Sequence, residues 1–148
     1  MFNPAWGVMA LAGALSLGAI GQAPAAAQAG APRQTVLDGV YTIDQARRGQ
    51  VAYDERCGDC HQRDLSGGDR GSALAGDEFV RAWLSLTVGD LFDRVRTSMP
   101  TDRPGSLTPE MTSDIVAYML RANDYPAGSA ELRPDPAVLK GITITNKK

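Results

Sequence analysis

The chain has 148 residues and a formal net charge of −2, from 15 basic and 17 acidic side chains. That balance leaves no electrostatic footprint for nucleic acid and no polybasic segment for an anionic membrane surface. The length suits one small domain after removal of a leader, and no internal repeat is visible.

Residues 1–29 read as a secretory signal peptide. Val8 to Ile20 is an apolar run too short to span a bilayer comfortably, and Ala27-Gln28-Ala29 fits a small-x-small cleavage site near Ala29. Ala25-Ala26-Ala27 is an alternative site, and an uncleaved membrane anchor is the competing reading. One feature departs from the usual pattern: no Lys or Arg precedes the apolar run. Residues 30–40 form a leader segment. Residues 41–126 read as the folded domain and 127–148 as a C-terminal extension.

The first helix is expected over 43–56. Thr42 is its N-cap, and Gln45 stands at the third helical position as the second half of a capping box. Ala46, Gly49, Tyr53 and Cys57 share one face. An interior glycine costs a helix about 1 kcal/mol relative to alanine, so Gly49 implies close approach by another helix.

Cys57-Gly58-Asp59-Cys60-His61 follows, and it uses both cysteines and the sole histidine of the chain. This is the attachment signature of c-type haem. Each sulfur can form a thioether to one vinyl group, the two-residue gap lets both reach the same ring, and His61 falls beneath the iron as an axial ligand. A zinc site needs about four ligands. An iron–sulfur cluster usually needs about four thiolates. A redox-active thiol pair normally opens a helix in a βαβ unit, whereas this motif closes a helical pattern.

Residues 62–75 are polar, hold Gly67, Gly68 and Gly71, and read as a loop. A short helix over 77–84 would bury Phe79, Val80 and Trp83. Thr87 would cap a third helix carrying Val88, Leu91, Phe92 and Val95 on one face, and Met99-Pro100 would stop it. Residues 101–107 form a second loop. The last helix has Thr108 as N-cap, Pro109 at its first position and Glu110 in the first turn. Its apolar stripe is Met111, Ile115, Tyr118, Met119 and Ala122, and Asn123 and Pro126 end it. In the tail, prolines imply an extended path, with Val138-Leu139 and Ile142-Thr143-Ile144 as surface contacts or a short strand.

No second histidine exists, so the sixth iron position falls chiefly to methionine, more remotely to lysine or tyrosine. Met1 and Met9 leave with the signal peptide. Met111 and Met119 are spaced like packing residues. Met99 ends a helix, is pinned by Pro100 and opens a loop that can fold over a flat cofactor, which makes it the candidate ligand.

With these residues in view, the chain resembles the class I c-type cytochromes over about residues 40–123. The resemblance rests on Cys57, Cys60, His61 and Met99-Pro100, and on Gly49 with Tyr53 crossing Ile115 with Tyr118. The stretches "DGVYTIDQARRGQVAY", "LAGDEFVRAW" and "MPTDRPGSL…DIVAYMLRANDYPAG" are similar to small bacterial cytochromes associated with periplasmic dehydrogenases. Gln62 departs from the glycine common after the histidine, and Ser72 from the usual proline of the following loop.

The resemblance implies an all-α cytochrome c fold, about four helices around one covalently attached haem, with an extended C-terminal tail. It implies one haem c per chain, bound through Cys57 and Cys60 with His61 and Met99 on the iron, in a periplasmic carrier rather than an independent enzyme. Its partners would be redox proteins, a periplasmic dehydrogenase as donor and a cytochrome or oxidase as acceptor, with no nucleic acid and no membrane span after cleavage. Two other functions compete: a haem-based sensor or small-ligand binder with a labile sixth site, and a thiol oxidoreductase using Cys57 and Cys60.

Overall fold

The computed structural model describes residues 34–146. The signal peptide assigned to 1–29, its cleavage site and the first part of the leader lie outside the described residues. Six helices follow in order: α1 (Ile43–Arg56), α2 (Gly58–His61), α3 (Asp77–Trp83), α4 (Val88–Ser98), α5 (Pro109–Ala122) and α6 (Pro136–Leu139). Two short strands, β1 (Gln34–Thr35) and β2 (Ile142–Thr143), pair in parallel, Gln34 opposite Ile142 and Thr35 opposite Thr143.

Threonines start the three long helices. Thr42, Thr87 and Thr108 each accept a hydrogen bond from the backbone N–H three residues on. The box expected at α1 forms only by half. Gln45 does not fold back on Thr42, because its amide is drawn to the tail: Nε2 donates to the Leu132 carbonyl at 2.9 Å and Oε1 accepts from the Leu132 N–H at 2.8 Å. Both groups are buried, so this distant pairing satisfies more desolvated polar atoms than a local cap would. Complete boxes form instead at Thr87–Asp90 and at Thr35–Asp38, the latter around a 3-10 turn spanning Val36–Asp38.

The α1–α5 crossing organises the domain. Gly49 makes it close: a methyl group there would lie 1.8 Å from the Asp114 carbonyl oxygen. Beside the crossing the Tyr53 and Tyr118 rings tilt together with centroids 5.3 Å apart. Arg48 grips Asp114 with two bonds of 3.0 Å. Helix α4 packs on the same α5.

Helix α5 is buried more widely than its predicted stripe. Thr112, Ser113, Val116, Ala117 and Leu120 are buried along with Ile115, Tyr118 and Met119. The tail and the 3-10 turn account for this, since Val36, Leu132, Leu139, Ile142 and Ile144 belong to the same core. Helix α3 ends one residue before the predicted boundary and fully buries only Phe79, leaving Val80 and Trp83 half-buried.

The tail packs on its own domain. Gly128 N–H donates to the Tyr41 carbonyl at 2.7 Å, and the Tyr41 hydroxyl donates to the Tyr125 carbonyl at 2.6 Å. Lys140, after α6, reaches Asp90 at 2.8 Å and Asp93 at 2.9 Å on α4. Beyond β2, Ile144 exchanges backbone bonds with Ser85 and Leu86. Among the described residues no helix is long and apolar enough to cross a membrane.

Candidate functional site

Cys57 is the hinge between α1 and α2. Its N–H donates to the Tyr53 carbonyl at 2.8 Å, and its own carbonyl accepts from Cys60 at 3.1 Å and His61 at 3.0 Å. One helical turn therefore carries the whole motif. The chain then reverses at Gln62, whose φ of 63° and ψ of 151° lie in a region nearly reserved for glycine. The Gln62 carbonyl is held by the Tyr53 hydroxyl at 2.8 Å. The departure from glycine noted in the sequence thus falls at a position whose backbone favours glycine.

The loop after Gln62 returns to His61. Its ring Nδ1 lies 2.7 Å from the Ser72 carbonyl oxygen. A carbonyl can only accept, so Nδ1 carries the proton and Nε2 keeps its lone pair for a metal. This is the outer-shell bond that commonly orients a ligating imidazole. A backbone oxygen supplies it, so the missing proline does not remove it. Gly71 lets the loop come this close, because a methyl group there would sit 2.8 Å from Nδ1 and 2.9 Å from the Cys60 carbonyl oxygen.

Cys57, Cys60, His61 and Met99 all line one cavity of about 780 Å³, a size within the range of cofactor sites. Met99 follows the last residue of α4 in extended conformation, its N–H bonded to the Val95 carbonyl at 3.1 Å. Leu74, Trp83, Val95 and Ile115 supply apolar wall. Met119 is also in the lining, although its spacing on α5 reads as packing and it is buried; Met111 is not in the lining. Arg56, Arg70 and Arg94 at the cavity carried no signal in sequence, since single arginines on a helix or loop have no distinguishing pattern.

The chemistry of these donors fits a haem. The cavity has apolar walls, two thiols on one helical turn, an imidazole of defined tautomer and a thioether. The same site suits thiol redox work poorly. Burial, and then the neighbouring Cys60, push the Cys57 thiol up to about 11, with Arg56 pulling weakly the other way. Reactive redox cysteines have depressed values. Among the described residues no group of three or more His, Cys, Asp or Glu side chains is arranged to hold a bare metal ion.

Residues 44–119, just over half of the chain, match the family model described as cytochrome c oxidase, cbb3-type, subunit III. No match is found among the curated proteins or among the solved structures. The matched span begins at the second residue of α1, ends inside α5 and contains Cys57, Cys60, His61 and Met99. The chain belongs to this family of c-type cytochrome domains, and its work is haem-based electron transfer.

Proposed function

We propose that this protein is an exported one-electron carrier with one haem c per chain. Cys57 and Cys60 would carry the thioether links, and His61 and Met99 would be the two axial ligands. The observation that carries this reading is the convergence of all four side chains on one cavity, with the His61 ring already oriented by Ser72.

A haem held in this way supplies reversible one-electron exchange at an iron with no vacant position for substrate. The chain's own residues do the rest. The Ser72 carbonyl would hold the Nδ1 proton and so leave the Nε2 lone pair available to the iron. Leu74, Trp83, Val95 and Ile115 would give the ring an apolar wall on the inner side of the cavity, and a thioether ligand favours the reduced state. With His61 on the iron and both cysteines in thioether links, the imidazole and thiols of the site would be spent on the haem, which supports a carrier rather than an independent enzyme. The electron donor would be a periplasmic dehydrogenase and the acceptor a respiratory cytochrome or oxidase. Export through a signal peptide cleaved near Ala29 would bring the thiols to the compartment where such haem is attached.

The test is purification from an export-competent, haem-maturing host. Mature protein should carry one haem of added mass that survives denaturation. Its ferric form should show the far-red methionine-to-iron charge-transfer band, which Met99→Ala removes and Met119→Ala keeps. Colourless protein of apoprotein mass would refute the reading. Prompt carbon monoxide binding by the ferrous wild type would move it to a ligand binder with a labile sixth site.

A further inference from the structure

The segment that brings Met99 to the cavity is weakly held. Residues 101–106 between α4 and α5 are exposed. Their own bonds tie the loop only to itself: Arg103 N–H to the Pro100 carbonyl at 3.0 Å, Ser106 N–H to the Arg103 carbonyl at 3.2 Å, and an exposed Arg103–Asp102 pair at 3.2 Å. Exposed pairs of that kind add little. Among the described residues, one side-chain hydrogen bond spans the loop. Arg96, on α4 one turn before Met99, donates from Nη1 to the Leu107 carbonyl at 2.9 Å. Leu107 is buried and directly precedes Thr108, the N-cap of α5. The bond therefore joins the end of α4 to the start of α5 and closes the loop that Met99 opens.

Its chemistry is unusual for simple packing. Arg96 is half-buried, and its charged guanidinium is directed at a neutral backbone oxygen, with no carboxylate partner among the described residues. An aliphatic side chain would fill the same space without desolvating a charge. A hydrogen bond from a charged donor is stronger than a neutral one, and among the described residues no other side-chain hydrogen bond joins the two ends of this loop.

We infer that Arg96 is the positioning residue for the sixth ligand: it keeps the 99–107 loop closed and so holds Met99 on the iron. This inference rests on the His61/Met99 reading above. Loss of the bond leaves the helices and the thioether sites in place but raises the fraction of molecules with Met99 detached. The apparent affinity for an added ligand scales with that open fraction.

The experiment uses full-length holoprotein carrying Arg96→Met or Arg96→Lys, with imidazole as the probe. Three quantities are read: the far-red band and the temperature at which it fades, the affinity of the ferric protein for imidazole, and global unfolding by far-UV circular dichroism. In Arg96→Met the band should weaken and fade well below global unfolding, and imidazole affinity should rise by about tenfold or more, the factor a charged-group hydrogen bond supplies. Arg96→Lys keeps one donor and should restore part of both. Should Arg96→Met not accumulate, Arg96→Leu, which likewise carries no donor, is read in the same way. An Arg96→Met protein with wild-type band and imidazole affinity overturns the inference. So does a band that fades only with the global transition, as it would if Arg96 merely stabilised the fold. Failure of the ligand reading looks different: the band is then absent from wild type, or survives Met99→Ala.

Discussion

Replacing Gly49 with alanine tests the crossing on which the whole domain is built. The new methyl group would stand 1.8 Å from the Asp114 carbonyl oxygen, 2.4 Å from its carbonyl carbon and 3.0 Å from Tyr118 Cβ. Two of these three atoms are backbone of α5, so no rotamer change relieves the contact, and α5 must retreat by more than an ångström. Close-packed interiors resist such shifts. Overpacking of this kind costs about 1–3 kcal/mol and occasionally more. The gain in helix propensity returns about 1 kcal/mol. A clash against backbone belongs at the upper end of the overpacking range, so the net expectation is a loss of about 2 kcal/mol. For a domain of this size that lowers the unfolding midpoint by about 10 °C. Thermal and denaturant unfolding of the holoprotein, followed by circular dichroism, measures it. Gln50→Ala, at the exposed neighbouring position of α1, is the control and should stay within about 0.5 kcal/mol of wild type. If Gly49→Ala proves as stable as wild type, or more so, the helices are not in the contact described and propensity alone governs the site.

Gln62→Gly should stabilise the holoprotein by about 1 kcal/mol or more, because it removes an L side chain from a left-handed, extended backbone that only glycine adopts freely; unchanged denaturation midpoints would contradict that strain. Asp90 bonds first to Lys140 and then to Thr87, and these hold its carboxyl at about 2, below its ordinary 3.8. Its folded value lies below the unfolded one, so its contribution is present above about pH 4 and is lost as pH falls through about 2. Asp90→Asn should therefore flatten the acid limb of the unfolding midpoint between those values, and an unaltered limb would exclude Asp90 as its source. Ending the chain after Gly128 removes Leu132, Leu139, Ile142 and Ile144, each at most 2% exposed. At about 1.5–3 kcal/mol for each buried side chain, the truncated protein should lose its cooperative unfolding transition, which calorimetry would reveal.

Local chemistry was readable from the sequence, and long-range pairing was not. The threonine caps of α1, α4 and α5 each act within three residues, so their identities were visible in the order of the chain. Gly49 was legible because a glycine inside a helix needs a reason. Gln45 was misread in part because its partner Leu132 lies 87 residues away. The orientation of His61 depends on a backbone carbonyl, which every residue type supplies, so no side chain at position 72 could announce it. Trp83 looked like core and is half-buried at the cavity, since period alone does not say whether an apolar face meets protein or cofactor. Met119 is ambiguous for the same reason, being both buried and in the lining.

The burial of α5 explains why the structured region extends beyond the family match. Ile115 and Met119 share a face turned to the cavity. A cavity of about 780 Å³ removes protein packing from that side, and a domain of this length has little core to spare. The apolar residues one step round the helix, Val116, Ala117 and Leu120, are nonetheless buried at 0% exposure. Cover for the core comes from outside residues 44–119: Val36 from the leader, Tyr41 at the start of the domain, and Leu132, Leu139, Ile142 and Ile144 from the tail. Polar atoms join the same segments where apolar contact alone would leave them unpaired, through Gln45 with Leu132, Gly128 with Tyr41, and the Gln34–Thr35 strand with Ile142–Thr143. The leader and the tail thus supply packing that a pocketed helix bundle of this size lacks on its own, which is why they meet each other and why the tail also braces α4, the helix that Met99 follows.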